Sequence, residues 1–232
     1  MLTHTFRNNV FPIGVPERSS PLTIKELSGE RSVHGCSPQW VIDNGTPIIK
    51  ELTKFALGVS NHHYTKPQGY SLVVDARVQR MMPGMFPSIP GWHCDAVPRA
   101  DYHSQPDLSR INPNARHFIT TLSTVDGGVS NTLYMKKPLT VDFHHSEPVW
   151  QQAHRACVKV KSDPYNFSSH FRPGLDGEMM IIGADTLHTA QACRERGWRL
   201  FFRMSMMHTK PINEGKFVDQ QQVYILSEEN GW

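Results

Sequence analysis

Apolar positions recur at helical spacing most clearly in 46-TPIIKELTKFALG-58, where Ile48, Ile49, Leu52 and Phe55 share a face. Thr46 is placed to be the N-cap residue, Pro47 the first helical residue and Gly58 the stop, so the spacing predicts a supporting helix. Elsewhere the apolar residues alternate or form short runs. The stretch 70-YSLVVDARVQRMM-82 reads as a strand, and further strands are predicted at 117-HFITTLST-124, 129-VSNTLYM-135, 156-ACVKVKS-162, 178-EMMIIG-183, 198-WRLFFRMSMM-207 and 222-QVYIL-226. The turn signals DGG, DP, PGLDG and ERG separate many of them, which favours an antiparallel barrel or sandwich over alternating βαβ units. The turn-rich opening to about Gly45 reads as an irregular arm. The expected plan is therefore one domain of 232 residues: arm and supporting helix over 1–69, a mainly β, jelly-roll or cupin-like core with flanking helices over 70–208, and a C-terminal extension over 209–232.

Composition agrees with that plan and narrows the chemistry. Hydrophobic residues make up 38% of the chain and charged ones 19%, with 17 prolines and 16 glycines, as in a folded, loop-rich domain. The net charge is +3 with no block of like charges, so a polyanionic partner such as nucleic acid is allowed but not demanded. Cys36, Cys94, Cys157 and Cys193 are widely spaced and form no CxxC, which argues against a zinc ribbon or a disulfide framework and for a reducing cytoplasm. No signal-peptide pattern opens the sequence and no apolar run has the length of a membrane span, so a cytoplasmic protein without a membrane partner is expected. Oligomeric state is not readable.

The first chemical candidate is 91-GWHCDAVP-98. In a chain with 13 histidines an HxD pair is a common accident, so position has to decide. Residues two apart on an extended segment point to one side, so His93 and Asp95 can converge on an ion while Cys94 faces away. A third ligand is available at His188 in 177-GEMMIIGADTLHTA-190, where an apolar strand ends in a polar turn. Two histidines and one carboxylate on one face of an ion leave positions open, an arrangement that suits non-haem Fe(II) better than zinc. His145 and Glu147 in 143-FHHSEP-148 form a weaker competing pair, since that stretch is polar and no glycine-rich entry precedes it.

The predicted strand 198–207 adds a second feature. Arg199, Phe201, Arg203 and Ser205 point one way and Leu200, Phe202, Met204 and Met206 the other. If the arginine face looks inward, two buried guanidinium groups require an anion, and a carboxylate held by two parallel hydrogen bonds is the natural partner. A dicarboxylate cosubstrate would meet that need.

Taken in order along the chain, these pieces resemble the Fe(II)- and 2-oxoglutarate-dependent dioxygenases with a double-stranded β-helix core. The resemblance covers roughly Val73 to Met206: RVQRMMPGMFPSIPGWHCD is similar to the strand and loop that deliver the family's HxD, FITTLSTVDGG to its next core strand, and GEMMIIGADTLHTA to the strand with the distal histidine. It implies iron ligation by His93, Asp95 and His188, and pairing of an arginine on the last strand with the far carboxylate of 2-oxoglutarate. Arg199 is the first choice by its distance from His188, and Arg203, which precedes Ser205 in an Arg-x-Ser pattern, the rival. Tyr134 and Tyr102 are further carboxylate donors to consider. It also implies O2 as cosubstrate and hydroxylation of an unactivated C–H bond; with Asp95 present, halogenation is disfavoured. The alternative is a cupin-like metal protein, either an enzyme independent of 2-oxoglutarate or a binding module. Trp92 and Trp198 read as packing residues. The polar segment 99–116 reads as a lid or an ordinary connection. A small molecule or a modified base fits as substrate, with Arg99, Arg110, Arg116, Arg194 and Arg196 available to a nucleic acid.

Overall fold

The computed structural model describes residues 2–16, 21–101, 104–163, 167–208, 216–218 and 222–225. In chain order its strands are β1 (Leu2–Phe6), β2 (Val10–Gly14), β3 (Ser32–Cys36), β4 (Ser71–Met81), β5 (Arg116–Ser123), β6 (Thr132–Met135), β7 (Leu139–Phe143), β8 (Phe171–Pro173), β9 (Met179–Gly183), β10 (His188–Ala190), β11 (Gly197–Met207) and β12 (Lys216–Val218). The helices are α1 (Ile24–Ser28), α2 (Pro38–Asn44), α3 (Pro47–His63), α4 (Val149–Lys161) and α5 (Phe167–His170).

Seven strands form one sheet in the order β12-β3-β4-β11-β5-β9-β2, and a three-stranded sheet, β10-β6-β8, packs against its inner face. All pairings are antiparallel. Ile119, Met180, Ile182 and Phe201 of the large sheet meet Tyr134 of the small one between the two. This is the mainly β, jelly-roll-type core that the alternation predicts.

The outer face of the large sheet carries the other half of each alternation. Val74, Ala76, Phe118, Leu122, Leu200, Phe202 and Met204 pack there with Ile48, Ile49, Leu52 and Ala56 of α3. Each such aliphatic side chain contributes roughly 1.5–3 kcal/mol when fully buried. On the far side, α4 covers the small sheet through Trp150, Ala153 and Cys157.

Several expectations change. Helix α3 continues past Gly58 to His63, because Gly58 keeps a helical backbone and Ala56 and Ser60 extend the buried stripe. Thr46 makes no side-chain cap. Its hydroxyl instead donates to Glu30, whose carboxylate also accepts from the amides of Ile48 and Ile49 at 2.9 and 3.2 Å, so an acid from the loop between α1 and β3 closes the helix N-terminus. Residues 156–161 belong to α4 and Ser162 caps it, so this stretch is not a strand. Trp150, Ala153 and Cys157 fall at helical spacing, and Val158, which alternation would pair with Cys157's opposite face, lies in solvent.

The opening is not irregular either. β1 pairs with β7 in a two-stranded sheet, β2 with β9 at the edge of the large sheet and β3 with β4 inside it, so the first residues are part of the sheets. Pro12 is tolerated because β2 is an edge strand. Of 222-QVYIL-226, Tyr224 forms an isolated bridge with Phe86 in place of a strand, and Leu226 lies outside the described residues. Among the described residues no helix is long and apolar enough to cross a membrane, and all four cysteines are free and buried.

Candidate metal centre and its cavity

His93 and His188 are brought together by the backbone. The two residues exchange both main-chain hydrogen bonds, His93 N to His188 O at 3.1 Å and His188 N to His93 O at 3.0 Å, as an isolated antiparallel bridge between the HxD loop and β10. Their rings lie 4.7 Å apart, centroid to centroid. Gly91 (φ 106°) and Ala96 (φ 57°) bracket the loop in the left-handed region; a non-glycine residue held there costs energy that surrounding structure must impose.

Asp95 completes the group. Its Oδ1 lies 3.9 Å from His93 Nε2 and its Oδ2 3.6 Å from His188 Nε2. One donor atom from each of the three residues falls within 4.8 Å of the others, and this trio is the one such cluster among the described residues. Each histidine donates its Nδ1–H to a carbonyl, His93 to Gly91 O and His188 to Thr186 O, both at 3.0 Å. A carbonyl can only accept, so the neutral ring carries its lone pair on Nε2, aimed at the centre. Burial, then the nearby His188, pushes His93 down to about 4, so its ring is uncharged at neutral pH. Burial alone would raise Asp95, but Arg203, His188, His117 and His93 together hold it well below the usual carboxylate range. Two imidazole nitrogens and one anionic oxygen on one side of a common point fit a divalent first-row metal with open positions.

These residues sit in a cavity of about 230 Å³ between the sheets. The inward face of β11 crosses it as the alternation predicts, but its two arginines differ. Arg203 donates to Asp95 Oδ2 at 2.8 Å and to Asp75 Oδ2 at 2.9 Å. Asp75 also accepts from the Gly35 amide at 3.1 Å and faces His34 Nδ1 at 2.7 Å. Burial notwithstanding, the His34 bond and the Arg203 charge keep Asp75 ionised, and the bond to Asp75 raises His34. Arg199, by contrast, is buried with only neutral acceptors, Ser130 O at 3.0 Å and Gln79 Oε1 at 3.3 Å. Burial lowers it to about 10, still charged at neutral pH. Among the described residues it has no carboxylate partner.

Ser205 and Tyr134 stand behind the centre and do not line the cavity. Ser205 is fully buried against His117, Oγ to Nδ1 2.9 Å, and burial lowers His117 to about 4. Tyr134 pairs with His188 across β6 and β10, its ring centroid 6.1 Å from the imidazole, and burial raises its hydroxyl. Asp75, His34, Gln79 and Arg77 also line the cavity and are absent from the sequence-based candidates. Alternation along β4 carried the signal, since Asp75, Arg77 and Gln79 share one face of a strand whose other face is apolar.

The remaining candidates lie elsewhere. Glu147 pairs with Arg155, and His145 is exposed in the turn before α4. Trp92 is buried against Phe171, with centroids 5.3 Å apart, and Trp198 packs on the outer-face core. In the 99–116 segment Asp107 caps a short turn that buries Leu108, and Tyr102 lies outside the described residues. Arg99, Arg110, Arg194 and Arg196 are exposed and Arg116 donates to Pro113 O and Ala115 O; none lines the larger cavity. Arg99 borders a second, smaller cavity of about 160 Å³, which reaches His93 and Asp95 from the α4 side.

No family model matches the chain, and no curated protein matches it. Three solved structures are similar in part. One is a non-heme monooxygenase, the ThoJ–nickel complex, at 10% identity and TM-score 0.32, over 72% of this chain and 52% of that one. The others are both of an N-substituted L-amino acid dioxygenase from Burkholderia ambifaria AMMD: one at 15% identity and TM-score 0.31 over 59% and 50% of the two chains, and one in complex with alpha-KG at 16% and 0.35 over 68% and 60%. The chain spans about half to three-fifths of the length of these proteins. At such values the likeness decides neither family nor activity.

Proposed function

We propose that this chain is a non-haem Fe(II)- and 2-oxoglutarate-dependent dioxygenase that hydroxylates an unactivated C–H bond of a small molecule. The observation that carries the proposal is one cavity holding two unlike sites: a His93–Asp95–His188 cluster with pinned Nε2 donors, and Arg199, a buried cation whose partners are all neutral. A buried guanidinium is costly without an anion, and a carboxylate bound by two parallel hydrogen bonds meets that cost.

In this reading His93 and His188 supply neutral nitrogen and Asp95 an anionic oxygen to the iron. When bound, the iron with 2-oxoglutarate and O2 supplies the oxidising power for C–H cleavage. The chain's own part is placement. Arg203 fixes Asp95 Oδ2, the oxygen nearer His188, and so orients Oδ1 toward His93, while Asp75 and His34 hold the guanidinium from behind. Arg199 takes the far carboxylate of 2-oxoglutarate, with Gln79 and the Ser130 carbonyl orienting it. Tyr134 and Ser205 act as supports, the first packing beside His188 and the second fixing the His117 ring. Ile119, Phe201 and Ile89 form apolar walls that exclude water from the reacting atoms.

Anaerobic titration of Fe(II) with and without 2-oxoglutarate tests the reading. The chelate has a weak visible charge-transfer band, which is expected in the native protein and lost in His188→Ala. Iron that binds without producing the band would overturn the 2-oxoglutarate role and leave a cupin-type metal protein.

A further inference from the structure

On β4 the cavity-facing residues Asp75, Arg77 and Gln79 follow one another at every second position. The outer two are fully engaged: Asp75 by Arg203, His34 and the Gly35 amide, and Gln79 by Arg199, Pro87 O and Gln222 O. Arg77 lies between them, opposite Phe201 in the β4–β11 register, and lines the cavity at its exposed end. Among the described residues it makes no hydrogen bond and no ion pair. The two aspartates of the cavity cannot serve it, because both are joined to Arg203.

The charges around the cavity therefore do not balance. Three arginines, 77, 199 and 203, face two aspartates, 75 and 95. A divalent metal and a dianionic cosubstrate cancel each other and leave that excess of one positive charge, located where Arg77 stands. Arg77 at the exposed mouth and the buried Arg199 are like charges facing one cavity, so an anion at the mouth is favoured. Arg77 also lowers Arg199, which places the two cations within reach of each other.

Resting on the reading above, we propose that Arg77 is the substrate-anion site and that the substrate is a short aliphatic monocarboxylic acid, its carboxylate on Arg77 at the mouth. Val33, Ile89, Phe201 and Tyr224 line the same cavity and offer apolar contact to its hydrocarbon part. A chain laid inward from Arg77 along Phe201 carries its C–H bonds toward His93, Asp95 and His188. The volume sets the size. About 230 Å³ is below the roughly 300–1,000 Å³ of sites for drug-sized ligands, so beside a five-carbon dicarboxylate there is room for a few carbons. The arginines that could track a nucleic-acid backbone do not line this cavity.

Anaerobic isothermal titration calorimetry on the Fe(II)- and 2-oxoglutarate-saturated protein, with butyrate, isovalerate and hexanoate and with their amides, tests the proposal. At least one acid is expected to bind ten times more tightly than its amide. Arg77→Gln is expected to abolish that ratio, Arg77→Lys to keep most of it, and both to change the 2-oxoglutarate dissociation constant less than twofold. Arg80→Gln, three residues on and facing the opposite side of β4, is the control for net charge and is expected to keep the ratio. Equal binding of acid and amide, no binding of any acid, an equal loss in Arg80→Gln, or a tenfold loss of 2-oxoglutarate affinity in Arg77→Gln would each overturn it. If the native protein binds no 2-oxoglutarate, the dioxygenase reading fails by itself; the acid-to-amide ratio and its dependence on Arg77 are then read on the unloaded protein and decide the anion site there.

Discussion

Arg199 and Arg203 lie on the same face of the same strand, one helical-looking interval of four residues apart, yet they do opposite things. Arg203 is neutralised by two carboxylates and is part of the wall. Arg199 is the more deeply buried of the two, yet its polar contacts are only a carbonyl and an amide oxygen. A charge with its counter-ions built in is structural; one held by neutral acceptors is kept ready for an anion that arrives later. The difference separates the frame of the site from its binding surface.

Removing each arginine should expose that difference. Arg203→Met leaves Asp75 and Asp95 without their shared cation and is expected to cost about 3 kcal/mol of stability, read by urea unfolding. Adding Asp75→Asn to it should restore part of the loss, because one stranded charge is removed. Arg199→Met is expected to change stability by no more than about 1 kcal/mol, while weakening 2-oxoglutarate about 100-fold in calorimetry. Equal losses of stability in the two variants would erase the contrast.

Acid sharpens the comparison next. His93 and His117, both near the Arg203 end, are lowered by burial to about 4, whereas an unfolded histidine titrates near 6.5. Between those values the unfolded chain binds more protons, so stability is full above about pH 6.5 and is lost as the pH falls toward 4. For the metal-free protein the slope approaches about 1.4 kcal/mol per pH unit for each histidine midway through that window. Urea unfolding across the window should give His117→Gln a shallower slope than the native chain. The smallest effect is expected from Gln79→Ala, which frees Arg199 from one orienting acceptor and should weaken 2-oxoglutarate about fivefold.

Much of this contrast is visible in the sequence. Alternation in 198–207 places both arginines on one face, and the HxD loop and the histidine after 179–183 mark the cluster. What alternation cannot supply is the partner across the ladder. Arg203 meets Asp75 only because β4 and β11 pair in one particular register. Asp75 in the apolar run SLVVDARV was nonetheless a legible warning, since a carboxylate on a buried strand needs a counter-ion. Where structure and pattern part, the cause is shared: a short window of local pattern is ambiguous between helix, strand and loop. Six residues of α4 imitate a strand, Gly58 imitates a stop, and β1 to β3 have too little periodicity to be seen without the strands they pair with.

The β4–β11 ladder runs unbroken from the Met81–Gly197 pair to the Ser71–Met207 pair, joining segments far apart in the sequence. During synthesis β4 is made early, and its partner strand only after the rest of the core. Until then Asp75 stays hydrated and Asp95 has no guanidinium to hold it. Contacts of such long range are slow to form, because the intervening chain must be closed first. The same pairing that sets the site's geometry therefore sets its timing: a nascent chain cannot assemble the candidate centre piecemeal, and the Asp75–Arg203–Asp95 link arrives together with the completed sheet.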